Sequence, residues 1–127
     1  MSDSKSFPEA QAPRLFKTEW FAKNAKKAGI THAELCKAIR QILKGQADDL
    51  GGGVFKKRLN KNLHRSIILG KGGKCWIYVY LFAKKDRENI EEDELKAFRE
   101  LADLYGDKTD KDVQNELDSG ALVEICR

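Results

Sequence analysis

Histidine is scarce in this chain of 127 residues: His32 and His64 stand against 24 lysines and arginines. Cysteine is nearly as scarce, with Cys36, Cys75 and Cys126 far apart and no Cys-x-x-Cys pair among them. A zinc site needs about four nitrogen or sulfur ligands at recognisable spacing, and none can be read here, so no metal and no cofactor is expected. The odd number of cysteines argues against a disulfide framework; three reduced, mostly buried thiols are the expectation. Only two prolines occur, Pro8 and Pro13. Both fall in a polar stretch without periodicity, read as a flexible lead over residues 1–13 ahead of a single domain over 14–127. No run approaches the ~20 apolar residues that a membrane helix needs. The opening MSDSKSFPEAQAP also lacks a basic-then-apolar secretory pattern. These absences lead to the expectation of a cytoplasmic protein with no membrane partner. At 41% hydrophobic residues the chain is too apolar to be disordered as a whole.

What is abundant is positive charge, and it is unevenly spread. Residues 1–53 carry a net +3, residues 54–90 a net +8 and residues 91–127 a net −7, which together make the overall +4. A basic block between a near-neutral and an acidic one points to a polyanion site confined to one part of the fold.

The elements follow from pattern and punctuation. A short strand fits Arg14–Thr18, after which Thr18 can cap a helix carrying Trp20, Phe21, Ala25 and Ala28 on its apolar face and ending at Gly29. Thr31 and Glu34 have capping-box spacing for a second helix, with Leu35, Ile39, Ile42 and Leu43 at helical intervals. The short connection makes these two an antiparallel hairpin. Asp48 to Gly53 breaks the pattern and reads as a glycine-rich turn; no Gly-Lys-Ser/Thr follows to make it a phosphate loop. Three strand-like runs come next, Val54–Leu59, Leu63–Leu69 and Cys75–Ala83, joined by tight turns into an antiparallel meander. Residues 89–92 read as the start of an amphipathic helix reaching Gly106, Thr109 as the cap of a short last helix stopped by Gly120, and ALVEIC as a final strand. The fold class is α+β: an N-terminal helical hairpin on a twisted antiparallel sheet of three to four strands, with a C-terminal helix.

The chemistry open to the basic block is narrow. Its only acids are Asp86 and Glu88, too few for a two-metal nuclease. Ser66 and His64 have no placed acid to complete a triad. Lysine and arginine abound, and a compact cation cluster binds phosphate. Such a cluster is open to metal-free RNA cleavage, in which the 2′-hydroxyl attacks the adjacent phosphate. That reaction needs a base, an acid for the leaving 5′-oxygen and cations for the developing charge. Crowded like charges make a lysine a workable base.

Three segments, FKTEWFAKNAKKAGITHAELCKAI, DLGGGVFKKRL and LFAKKDRENI followed by an acidic helix start, resemble the RelE/HigB family of type II toxins. The branch with a DLGGG(L/V)(F/Y)KKR signature is the most similar. The resemblance implies a toxin of a toxin–antitoxin system that acts as a ribosome-dependent, metal-independent mRNA endonuclease and inhibits translation. Its partners would be the ribosome, mRNA and a cognate antitoxin, expected to be a small DNA-binding protein encoded nearby. It assigns catalytic roles to Lys56, Arg58, Arg65 and Lys85, with Lys57, Lys61, Lys84 and Arg87 as RNA contacts. Arg58 occupies the place of the family's proposed base, and Glu91 the place of a tyrosine. The base is therefore left among Lys56, Lys57 and His64. The alternatives on the same scaffold are a non-catalytic nucleic-acid-binding protein and a ParE-like inhibitor of gyrase.

Overall fold

The computed structural model describes residues 13–126; apart from Pro13, the expected lead lies outside them. β1 (Arg14–Thr18) passes into α1 (Glu19–Lys27), where the Thr18 hydroxyl accepts from the Phe21 amide at 3.1 Å. α2 (His32–Leu43) starts the same way, with Thr31 accepting from the Glu34 amide at 3.1 Å. The Glu34 carboxylate does not close a capping box. It accepts instead from the Asn60 amide in a distant turn. That turn needs the help, because Asn60, Lys61 and Asn62 all hold positive φ, at 56°, 53° and 71°.

β2 (Asp48–Gly51), β3 (Val54–Leu59), β4 (His64–Leu69) and β5 (Cys75–Ala83) follow, then α3 (Glu92–Asp107), α4 (Asp110–Ser119) and β6 (Leu122–Ile125). The sheet has six strands in the order β2-β3-β4-β5-β1-β6. This corrects the expected fold on three points. First, Asp48–Gly51 is a strand, since Asp48 and Asp49 pair with Lys56 and Phe55 before a register break at the glycines. Second, the sheet is mixed, because β1 runs parallel to β5 and takes β6 on its other side. Third, helices lie on both faces. α1 and α2 bury one face with Phe21, Leu35 and Ile39 over Ile68 and Tyr78. α3 and α4 bury the other with Ala102 and Val113 over Ile67, Ile77 and Leu122. Each fully buried side chain of this kind contributes about 1.5–3 kcal/mol, so both layers hold the sheet. A sheet covered on both faces explains why β5 is apolar almost throughout.

α3 begins two residues later than read, because the Glu94 carboxylate accepts from the Glu91 amide at 2.7 Å while Asn89 turns its side chain to the Ile90 amide. α4 is capped by Thr109 and ends at Gly120 in the left-handed region, as expected.

The expectation of reduced thiols does not hold for two of the three cysteines. Cys36 and Cys126 form a disulfide, with Cα atoms 5.5 Å apart across 90 residues of sequence. Their spacing gives no hint of it. The contact exists because β6 folds back beside β1 and the residue after it, Cys126 at φ 64°, turns towards α2. Cys75 is free and half-buried.

Gly70 shows how tightly one layer is packed. It is buried, and a β-carbon there would stand 2.3 Å from the Trp76 ring, itself only 8% exposed and without room to move. Gly70→Ala is expected to lower stability by roughly 1–3 kcal/mol through overpacking. A urea denaturation midpoint unchanged from the wild type would show that the indole is not fixed.

Candidate nucleic-acid interface

Strand pairing decides which cations meet. Residues directly opposite in an antiparallel pair point to the same face, with Cβ atoms about 4.5–5.5 Å apart. Arg58 lies opposite Arg65, and Arg65 opposite Phe82. One row lower, Lys56 lies opposite Ile67 and Ile67 opposite Tyr80. Lys56, Arg58, Arg65, Tyr80 and Phe82 therefore share the face that α3 and α4 cover further along, where Val54, Ile67 and Leu69 are buried. Arg58 is exposed and Lys56 and Arg65 are half-buried, so the cover thins out at this end of the sheet.

Two arginines directly opposed are electrostatically unfavourable. The Arg65 guanidinium turns away, donating to the carbonyls of Asn62 at 3.1 Å and His64 at 3.2 Å. The Asn62 acceptor belongs to the turn that Glu34 pins, so a helix on the opposite face helps fix this side chain. Lys56 meets one carboxylate oxygen, that of Asp48, at 3.9 Å.

Lys57 and His64 are not brought to this face. Lys57 lies opposite Ser66 and His64 opposite Leu59, on the side of the helical hairpin. The Lys57 ammonium donates to the Gln46 carbonyl at 2.9 Å. Burial, with neighbouring Arg58, holds it below the ordinary lysine range. His64 Nδ1 sits 3.2 Å from the Asn60 amide nitrogen. Lys61, in the β3–β4 turn, and Lys84 and Lys85, in the turn after β5, are exposed around the same end of the sheet.

Arg87 is already engaged. It forms an ion pair with Glu94 at 2.5 Å, lies 5.5 Å over the Phe82 ring and reaches the Tyr80 hydroxyl at 3.4 Å. Glu94, in the acidic start of α3, turns back to this arginine.

Tyr80 is the residue that sequence reading missed. Simple alternation along CWIYVYLFA puts Tyr78 and Tyr80 on one face. The register shifts between the partners of Ile67 and Ile68, leaving Val79 as an extra residue. Tyr78 then packs under the hairpin and donates to the Leu35 carbonyl, while Tyr80 turns to the cationic face. Re-aiming a side chain in this way is characteristic of a β-bulge. The Tyr80 ring stacks on Trp20 at 5.1 Å, which explains why Trp20, expected in the core, is 44% exposed.

A second cleft, of about 780 Å³, is lined by Arg14, Lys71, Lys74, Cys75, Tyr105 and Lys108 among others. Three of its cations are ion-paired, Arg14 to Glu124, Lys71 to Asp103 and Lys108 to Glu116. Burial pushes the Cys75 thiol up and so away from the reactive thiolate. The less compensated cations are those of the β3–β5 face.

The six-stranded α/β scaffold thus presents a cationic, aromatic-flanked face at one end of its sheet. The family model described as the RelE toxin of the RelE / RelB toxin–antitoxin system matches residues 13–125, and the chain belongs to that family. It is a toxin-family protein whose family pairs with an antitoxin and is generally mRNA-cleaving. No curated protein and no solved structure gives a significant match. Among the described residues, no helix is long and apolar enough to cross a membrane.

The Arg87–Glu94 pair makes a pH prediction. Its hydrogen bond from Arg87, and then that from the Glu91 amide, hold Glu94 below the ordinary carboxylate range. A depressed folded-state value stabilises above the unfolded value of ~4.3, and that contribution is lost as pH falls through the folded value. Wild type is therefore expected to be more stable than Glu94→Gln at pH 7, with the gap closing on acidification below about pH 4. Thermal melts of both across that range test it; a gap independent of pH would break the assignment.

Proposed function

We propose that this chain is the toxin of a toxin–antitoxin pair and cleaves mRNA on the ribosome without a metal ion. The observation that carries the reading is the shared face of Lys56, Arg58, Arg65 and Tyr80. Arg65 and Arg58 neutralise charge on the phosphorane formed when the 2′-hydroxyl attacks. Lys56 is the base assigned to the hydroxyl proton, because of the three candidates it alone lies on the face with Arg65. Lys85, in the adjoining turn, protonates the departing 5′-oxygen. Tyr80 and Trp20 form an aromatic stack beside the phosphate site, suited to stacking an unpaired base. Lys61 and Lys84 add long-range attraction for the RNA backbone. Asp48 meets Lys56 and Glu94 pairs with Arg87, so both of these carboxylates already face a cation.

The test is purified ribosomes translating a defined mRNA, with the 3′ ends of any fragments identified. Codon-phased cuts ending in a 2′,3′-cyclic phosphate are expected. Arg65→Ala should lower the rate about 10²–10³-fold, the usual effect of losing one charge-stabilising donor. Lys56→Met should be at least as damaging. His64→Gln should stay within a few-fold of wild type, which reverses the roles if it does not. RNA binding without cleavage would favour a non-catalytic nucleic-acid-binding protein. Growth arrest with intact mRNA and stalled replication would favour gyrase inhibition.

The partner is tested by co-expression with the neighbouring gene product. A single stable complex with suppressed activity is expected. A chain that is harmless alone and binds no such product would sink the toxin reading.

A further inference from the structure

We infer that His32, Cys36 and Cys126 form a thiol-gated metal site: closed as the disulfide, and able to take a zinc-class cation once reduced. A ligand atom from each of the three lies within 4.8 Å of the others. His32 and Cys36 are one helical turn apart on α2, the spacing at which two side chains share a face. Cys126 arrives from the other end of the chain, carried by β6 and a left-handed backbone turn. His32 is exposed and makes no hydrogen bond among the described residues, so its ring is available as a ligand. Two thiolates and one imidazole suit zinc, or cuprous copper, better than any hard cation. Bonds of about 2.0–2.3 Å in tetrahedral geometry need ligand atoms roughly 3.3–3.8 Å apart, and the three here already lie within 4.8 Å of one another. Three protein ligands leave a fourth position for water.

The switch balances as follows. A dithiol reductant gives up its two thiol hydrogens and becomes a disulfide, while the Cys36–Cys126 bond breaks and each sulfur gains a hydrogen. Binding of Zn²⁺ then displaces both thiol protons to solvent, and the His32 ring adds a lone pair. The same residues cannot hold the metal and the disulfide at once, so redox state and metal occupancy exclude each other. The site lies on α2 and β6, apart from the cationic face, and its test does not depend on RNA cleavage.

The full chain is reduced with a dithiol, freed of it by anaerobic gel filtration and titrated with Co²⁺, followed by Zn²⁺ in competition. One equivalent of Co²⁺ is expected, with thiolate-to-cobalt absorption that Zn²⁺ abolishes. The oxidised chain should show none of this. His32→Ala should weaken binding at least as much as loss of an outer-shell partner does, about 10–100-fold, and Cys36→Ser should remove the thiolate band. Cys75→Ser, outside the group, should bind as wild type. Circular dichroism of the reduced protein is recorded alongside. Loss of fold on reduction, binding by the oxidised chain, or an unaffected His32→Ala variant would each overturn the proposal.

Discussion

Everything at the cationic face depends on strand alternation in a sheet that is covered on both sides. β5 has to be apolar on both faces because helices press on each, so it has no room for charge until the cover ends. Charge is therefore displaced to β3, the start of β4 and the turns beyond, where every second residue faces the same way. Period two then sorts the run Lys56-Lys57-Arg58: the first and third go to one side and the second to the other. Three adjacent cations in sequence become two that cooperate and one that donates to a loop carbonyl.

The electrostatics of the face are only partly compensated from within. Asp48 approaches Lys56 loosely and Glu94 grips Arg87 closely, but Arg58, Lys61, Lys84 and Lys85 have no ion pair among the described residues. Glu94 does two jobs at once, closing the start of α3 and holding the arginine against Phe82. A phosphate approaching Arg87 has to compete with a carboxylate already seated there, whereas Arg65 is held by neutral carbonyls that a phosphate replaces at less cost. Arg65 is therefore the more available of the two arginines to an incoming anion.

Local chemistry was legible in the sequence; long-range geometry was not. Thr18, Thr31, Thr109 and Gly120 mark helix ends because caps act within four residues, and the meander is visible because its turns are short. The parallel pairing of β1 with β5 could not be read, since a strand of five residues carries no record of which neighbour it will join. β2 was hidden by its own glycines, whose positive φ signals a turn and masks the two residues paired just before it. Glu34 has capping-box spacing, yet the strained turn at Asn60 attracts its carboxylate instead. Of the four cations named from the family pattern, Lys56, Arg58 and Arg65 share one sheet face and Lys85 lies in the turn after β5. Tyr80 escaped because a single extra residue in β5 reverses the facing of the side chain, and the disulfide escaped because nothing local links Cys36 to Cys126.

The position of β1 has a consequence for the order of events during synthesis. It is the first element of the described chain to be made, yet both of its neighbours in the sheet come later: β5 begins about 60 residues downstream and β6 about 100. The meander from β3 to β5 closes on itself with short turns and needs neither terminus. The edge of β5 facing away from β4 is filled by β1, which is already made when β5 appears, and β6 then joins the remaining edge of β1. β1 therefore takes both of its partners from later in the chain, one parallel and one antiparallel, and its two pairings are the most non-local contacts of the sheet.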